Sequence, residues 1–192
     1  MSDMKYQEDE FYISQVLNGK VQAYAFLVNK HKNMVFTLAY RMVKSREDAE
    51  EVAQDVFLKA FQCLDTFKGD SRFSTWLYRI VYNNSVNRIR KNKSNAALTD
   101  FIEDDDFYLD SDELQQLREK ERKLYVKEAI DHLEEEDGFI VTLFYLEELT
   151  SASIAEITGL EETNVRVKLH RSRRKMHAYL QNRLQKEIKE IL

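Results

Sequence analysis

The chain contains no proline in 192 residues and only four glycines, Gly19, Gly69, Gly138 and Gly159. These two residue types punctuate turns, bulges and strand ends, so a chain almost without them has few sites at which to reverse direction tightly. Every glycine falls between stretches of helical period, where it reads as a helix stop rather than as part of a phosphate-cradling loop. The expectation is an all-α fold. At this length the chain forms one domain or two small ones, and 43% hydrophobic residues are enough to build their cores.

The most pointed local pattern is Leu149 to Lys175, LTSASIAEITGLEETNVRVKLHRSRRK. Counting from Ser151, the small Ala155 falls where two helices would cross. Gly159 falls at the turn, where a left-handed backbone costs glycine almost nothing. Val165 and Leu169 share the inner face of a second helix, while Arg166, Lys168, Arg171, Arg173 and Arg174 crowd the rest of its surface. The spacing fits a helix-turn-helix aimed at DNA, and it also fits two antiparallel helices with a solvated basic face. The cations stand on the second helix rather than the first, which favours DNA. Ser153 stands where a capping-box glutamate would help Thr150, and Glu161 and Glu162 put two carboxylates at the start of the second helix.

The net charge of -5 hides a strong segregation. Residues 67–93 hold seven cations against one carboxylate and residues 150–192 hold nine against five, whereas 94–149 hold five against eighteen. Two anion-binding surfaces separated by an acidic block are implied. Between Lys93 and Glu113 no period is sustained, and eight carboxylates lie from Asp100 to Glu113. Self-repulsion predicts a flexible linker there. The expected organisation is a helical domain over 1–93, an acidic linker over 94–118 and a helix-turn-helix domain over 119–192.

In the first domain Ser45 and Asp48 form an N-terminal capping box. Ala49, Val52, Ala53, Val56, Phe57, Ala60 and Leu64 follow at helical spacing and make a core stripe. Asp48, Glu51, Gln54, Asp55 and Lys59 stand on the other faces, which on spacing alone is a solvated surface. The loop Lys68 to Ser71 then leads into a helix with Trp76, Leu77, Ile80, Val81 and Ile89 on its apolar side. Asn83, Asn87 and Lys91 lie at four-residue intervals on another side, with Arg88 alongside. Amides read base edges, cations hold phosphates and aromatic rings support unstacked bases, so this island suits single-stranded DNA. Trp76, Phe73 and Tyr82 can instead be simply buried, which is the expectation for Trp76, whereas the Asn and Lys face has no packing purpose.

Several classes are disfavoured. One cysteine, Cys63, makes no internal disulfide and fits a reducing, cytoplasmic setting. No signal-peptide stretch or membrane-length apolar run is present. Asp104, Asp105 and Asp106 are consecutive, without the alternation and turn glycine of a calcium loop. His170 and His177 are two turns apart without other ligands nearby, and His31 and His132 show no constellation. No catalytic residue, metal site, cofactor or small-molecule substrate is expected.

Taken in order, DAEEVAQDVFLKAF, then FKGDSRFSTWLYRIVYNN, then the acidic segment, then the helix-turn-helix, the chain from about Phe11 to Leu184 resembles a bacterial sigma factor of the extracytoplasmic function (ECF) group of the sigma-70 family. That resemblance implies a transcription initiation factor of two helical domains whose partners are core RNA polymerase, promoter DNA and an anti-sigma factor. It implies polymerase docking through Asp48, Glu51, Gln54, Asp55, Phe57, Leu58 and Lys59. It implies capture of a flipped base of the minus-10 element by Phe67, Lys68, Gly69, Asp70 and Ser71, with Asn83, Asn87, Arg88 and Lys91 along the strand. Arg166, Val167, His170 and Arg171 would face bases of the minus-35 element in the major groove, and Lys168, Arg173 and Arg174 its phosphates. The acidic linker would enter a basic channel of the polymerase. The alternative is a helix-turn-helix regulator acting alone, which leaves the 67–93 island without a purpose.

Overall fold

The computed structural model describes residues 2–95 and 114–191, with side chains over 8–92 and 123–183. Among these residues all regular structure is helical. The first half comprises α1 (Ser2–Leu17), α2 (Tyr24–Val43), α3 (Arg46–Gln62) and α4 (Phe73–Asn95). The second comprises α5 (Leu114–Asp131), α6 (Glu135–Tyr145), α7 (Ser151–Thr158) and α8 (Glu162–Ile191). Helices α4 and α5 reach into both ends of the expected linker. Its remainder, including the carboxylates from Asp100 to Glu113, lies outside the described residues.

The core follows from helical periodicity. Ser45 caps α3 as expected, its Oγ accepting the Asp48 N–H at 3.3 Å. Ala49, Val52, Val56 and Ala60 are then buried against Val35, Leu38, Ala39 and Met42 of α2 and Leu77 and Val81 of α4. Each large apolar side chain so enclosed contributes roughly 1.5–3 kcal/mol. Trp76, Ile80 and Ile89 flank that core half-buried. Gly19, Gly69 and Gly159 adopt the left-handed φ values of 89°, 78° and 73° that turn glycines are used for. Gly138 departs from the expectation. It lies inside α6, buried, where a Cβ would sit 3.5 Å from the Ile130 carbonyl oxygen and 3.8 Å from Arg41 Cδ. Close helix packing, not a turn, accounts for it.

The two halves are packed on each other, α6 against α2 and α7 against α4. Ile130, Leu133, Phe139 and Leu143 belong to the same continuous core as Leu27, Leu38 and Leu77. Polar contacts cross the seam as well. Lys44 ends α2 in a left-handed conformation, φ 55°, and its Nζ donates to the carbonyls of Asp131 at 2.9 Å and Leu133 at 3.1 Å. Arg41, 4% exposed, pairs with Asp131. Tyr78 donates its hydroxyl to Glu147, and Tyr82 donates to Glu136 at 2.6 Å while its ring lies 5.4 Å from that of Phe139.

Candidate nucleic-acid interface

Three surfaces hold the residues singled out from sequence. On α3, Glu51, Gln54, Asp55, Leu58 and Lys59 are exposed on the side away from the core, with Leu58 62% exposed. Phe57 is half-buried, and its carbonyl accepts the Tyr24 hydroxyl at 2.7 Å. Asp48 is used differently. Its Oδ1 accepts from Arg88 Nε at 2.9 Å and from a terminal nitrogen at 2.5 Å, and its Oδ2 accepts from Asn92 at 2.7 Å. Arg88 also reaches Glu51 at 2.7 Å. Hydrogen bonding to Asp48, opposed by burial and aided by the charges of Asp48 and Glu51, raises the guanidinium pKa further. Two residues expected on different surfaces, one for polymerase and one for DNA, thus bind each other and clamp α3 to α4.

The second surface begins at the loop from Phe67 to Arg72. Phe67 is anchored edge-on to Phe73 and tilted against Trp76, both at 5.6 Å, so its ring fixes the base of the loop. Lys68, Gly69, Asp70 and Ser71 stand exposed above it. A depression of about 220 Å³ opens there, lined by Asp9, Glu10, Phe67, Gly69, Asp70, Ser71, Arg72 and Phe73. Asp9 and Glu10 are additions from α1 that sequence reading missed, since nothing in a polar N-terminal helix signals a loop more than fifty residues away. Burial pulls the Asp9 carboxyl up, but hydrogen bonds with His31 at 3.2 Å and Lys30 at 2.7 Å outweigh it and hold the carboxyl below its usual range. Beyond the loop, Asn83, Asn87 and Lys91 are exposed on α4 at four-residue spacing, whereas Arg88 turns toward α3.

The third surface is the helix-turn-helix. Thr150 caps α7 by accepting the Ser153 N–H at 3.1 Å, and Gly159 closes it through its N–H to Ala155 at 2.8 Å. Val165 and Leu169 are buried at 0% and 3%, as their spacing predicts. Arg166, Val167, His170, Arg171, Arg173 and Arg174 are exposed. Arg166 pairs with Glu162 at 2.6 Å, and Glu162 also accepts the Ser151 hydroxyl at 2.7 Å, tying the start of α8 to the start of α7. At 68% exposure such a pair is weak and easily exchanged for another acceptor. Lys168 does not point outward with the others. Its Nζ lies 2.9 Å from both Glu136 and Asp137 of α6. Burial lowers its pKa, and hydrogen bonds to those two carboxylates more than restore it. Lys175 makes a similar return to Glu134 at 2.9 Å. Among the described residues no cluster of His, Cys, Asp and Glu is disposed to hold a metal, and no helix is long and apolar enough to cross a membrane.

Comparison with known proteins agrees with this arrangement. The family model for sigma-70 region 2 matches residues 27–95, spanning α2 to α4, and that for sigma-70 region 4 matches 123–176, including the helix-turn-helix. The chain is 30% identical over 181 residues to the ECF RNA polymerase sigma factor SigW of Bacillus subtilis, covering 88% of this chain and 95% of the relative. It is 31% identical over 174 residues to the ECF RNA polymerase sigma-E factor of Escherichia coli K12, covering 86% and 90%. Its fold resembles that of CnrH, solved in complex with the cytosolic domain of CnrY, with a TM-score of 0.62 at 22% identity over 91% of this chain and 98% of that one. An exposed α3 face, an aromatic-based loop and a cation-lined α8 thus occur in a chain matched over most of its length by such factors, and the chain belongs to the ECF group of the sigma-70 family.

Proposed function

We propose that the chain is a transcription initiation factor that binds core RNA polymerase and directs it to promoters, acting by binding and not by catalysis. The observation that carries this reading is the order of two basic surfaces, one on α4 within the region 2 match and one on α8 at the region 4 match. The exposed side of α3, with Glu51, Gln54, Asp55, Leu58 and Lys59, docks on the polymerase, while Phe57 and Asp48 support it from behind. The depression above Phe67 takes an unstacked base of the minus-10 element, and Asn83, Asn87 and Lys91 follow the strand. Arg88 acts chiefly by fixing α4 to α3. Residues 1–93 and 119–192 are the two functional domains, and the work belongs in the cytoplasm beside the polymerase. On α8, Arg166, Val167, His170 and Arg171 meet base edges and Arg173 and Arg174 meet phosphates. An anti-sigma factor is the third partner.

Transcription in vitro with purified core polymerase tests the reading. The chain should produce discrete, promoter-dependent transcripts that core polymerase alone does not make. Tight, specific duplex binding by the isolated chain with no effect on polymerase would transfer the assignment to a regulator acting alone.

A further inference from the structure

An exposed guanidinium pairs with a phosphate as readily as with a guanine unless its surroundings favour one of them. Arg166 has such surroundings. A terminal nitrogen lies 2.6 Å from Glu162 Oε1, one turn back on α8, and its Nε lies 3.4 Å from the Ser151 hydroxyl, which itself donates to the same Oε1 at 2.7 Å. The network joins the first residue of α7 to the first of α8. Glu161 offers a second carboxylate at that helix end, where the dipole favours one, yet it accepts locally, from the Thr163 hydroxyl at 3.5 Å. Taking the proposed function as its basis, in which Arg166 meets base edges, we infer that Glu162 is a base-reading residue that accepts the N4 amino group of a cytosine while Arg166 takes a neighbouring guanine.

Both protein donors use Oε1, and among the described residues no hydrogen bond reaches Oε2, so one oxygen is left to accept from DNA. Hydrogen bonding from Ser151 first, then from Arg166, outweighs burial and holds the Glu162 carboxyl below its usual range. It therefore accepts and has no proton to donate. In the major groove cytosine presents its N4 amino group with no acceptor beside it. The adenine amino group stands next to N7, and guanine and thymine present only acceptors, all of which a carboxylate repels. Phosphates are repelled likewise. Arg166 is the complement: its fork matches guanine O6 and N7, and at 68% exposure its pair with Glu162 is exchanged easily for those acceptors. Four residues rise about 6 Å along a helix and stacked pairs ~3.4 Å, so the two side chains meet positions one or two steps apart. A carboxylate out of place on a phosphate-gripping surface is thus the acceptor half of a reading pair.

The test is selection from a pool of randomised DNA duplexes, run once with the full chain alone and once with the full chain on core polymerase. The parent should enrich cytosine at one position and guanine one or two positions away. Glu162→Gln keeps the size of the side chain, but its amide both donates and accepts. The preference for cytosine over thymine should then fall about tenfold with the guanine preference intact. Arg166→Ala should lose the guanine preference. Ser151→Ala removes the tie between the two helices while keeping both charges, and it should retain the cytosine preference, whereas a merely structural Glu162 would make Ser151→Ala and Glu162→Gln alike. A cytosine preference unchanged in Glu162→Gln, its equal loss in Ser151→Ala, or a parent that enriches no such cytosine in either preparation would overturn the inference. Enrichment by the free chain that shows the Glu162 effect, without promoter-dependent transcripts on core polymerase, keeps the inference and removes the sigma reading.

Discussion

Lys168 shows how a residue can match a motif and still serve another end. It stands among Arg166, Arg171, Arg173 and Arg174 on α8, yet its ammonium is spent on Glu136 and Asp137. Among the described residues, Asp137, 5% exposed, pairs with Lys168 and, more loosely, with Lys175 at 3.5 Å. Removing the lysine therefore leaves a buried carboxylate short of a partner, a change that costs about 1–3 kcal/mol. Lys168→Ala should lower the urea midpoint accordingly and leave the salt dependence of promoter binding near that of the parent. Arg171→Ala, at an exposed position, should do the reverse, reducing the salt slope by about one with little effect on the midpoint. A Lys168→Ala chain of parental stability whose salt slope falls would return Lys168 to the phosphate-contacting set.

At the scale of the element, α3 divides its perimeter between core, clamp and partner. Val52, Val56 and Ala60 are in the core, Asp48 holds Arg88 and Asn92, and Leu58 projects with 62% of its surface in water. An exposed leucine between Asp55 and Lys59 contributes nothing to the isolated fold, so Leu58→Asp should change stability by no more than ~0.5 kcal/mol. It should weaken binding to core polymerase at least tenfold in a pull-down titration, since a charge replaces an apolar anchor at the centre of the proposed contact. Unaltered polymerase affinity would move the docking surface off α3. The same helix marks what the sequence disclosed. Its core stripe and its exposed residues follow from a 3.6-residue period, as do Val165 and Leu169 on the inner face of α8, while the Ser45 cap and the left-handed Gly159 follow from residue type. Local spacing did not disclose where long side chains end: the Asp48–Arg88 clamp spans 40 residues and the Lys168–Asp137 pair 31. Gly138 misled for a related reason, because a glycine that admits a crossing helix is indistinguishable in sequence from one that ends a turn.

For the whole molecule, alkaline pH is the condition that probes the shared core most directly. Tyr24, Tyr78 and Tyr82 are each pushed well above the usual phenol value near 10, first by burial and, for the latter two, by the carboxylates of Glu147 and Glu136. The folded chain keeps these protons at a pH where the unfolded chain gives them up. Their contribution to stability is complete below about pH 10 and declines as pH rises beyond it. Arg41 works in the opposite sense, since burial brings it down to about 10 and its folded form sheds a proton that the unfolded chain retains. Three phenols outweigh one guanidinium, so the folded state binds more protons and the net slope above pH 10 is negative. The urea midpoint should hold steady from pH 8 to 9.5 and fall steadily from 10 to 11, and Tyr82→Phe should make that fall shallower because one of the three retained protons is gone. A midpoint that rises over the same interval, or falls as steeply in the Tyr82→Phe chain, would mean that the phenols at the seam between the halves are not enclosed as described.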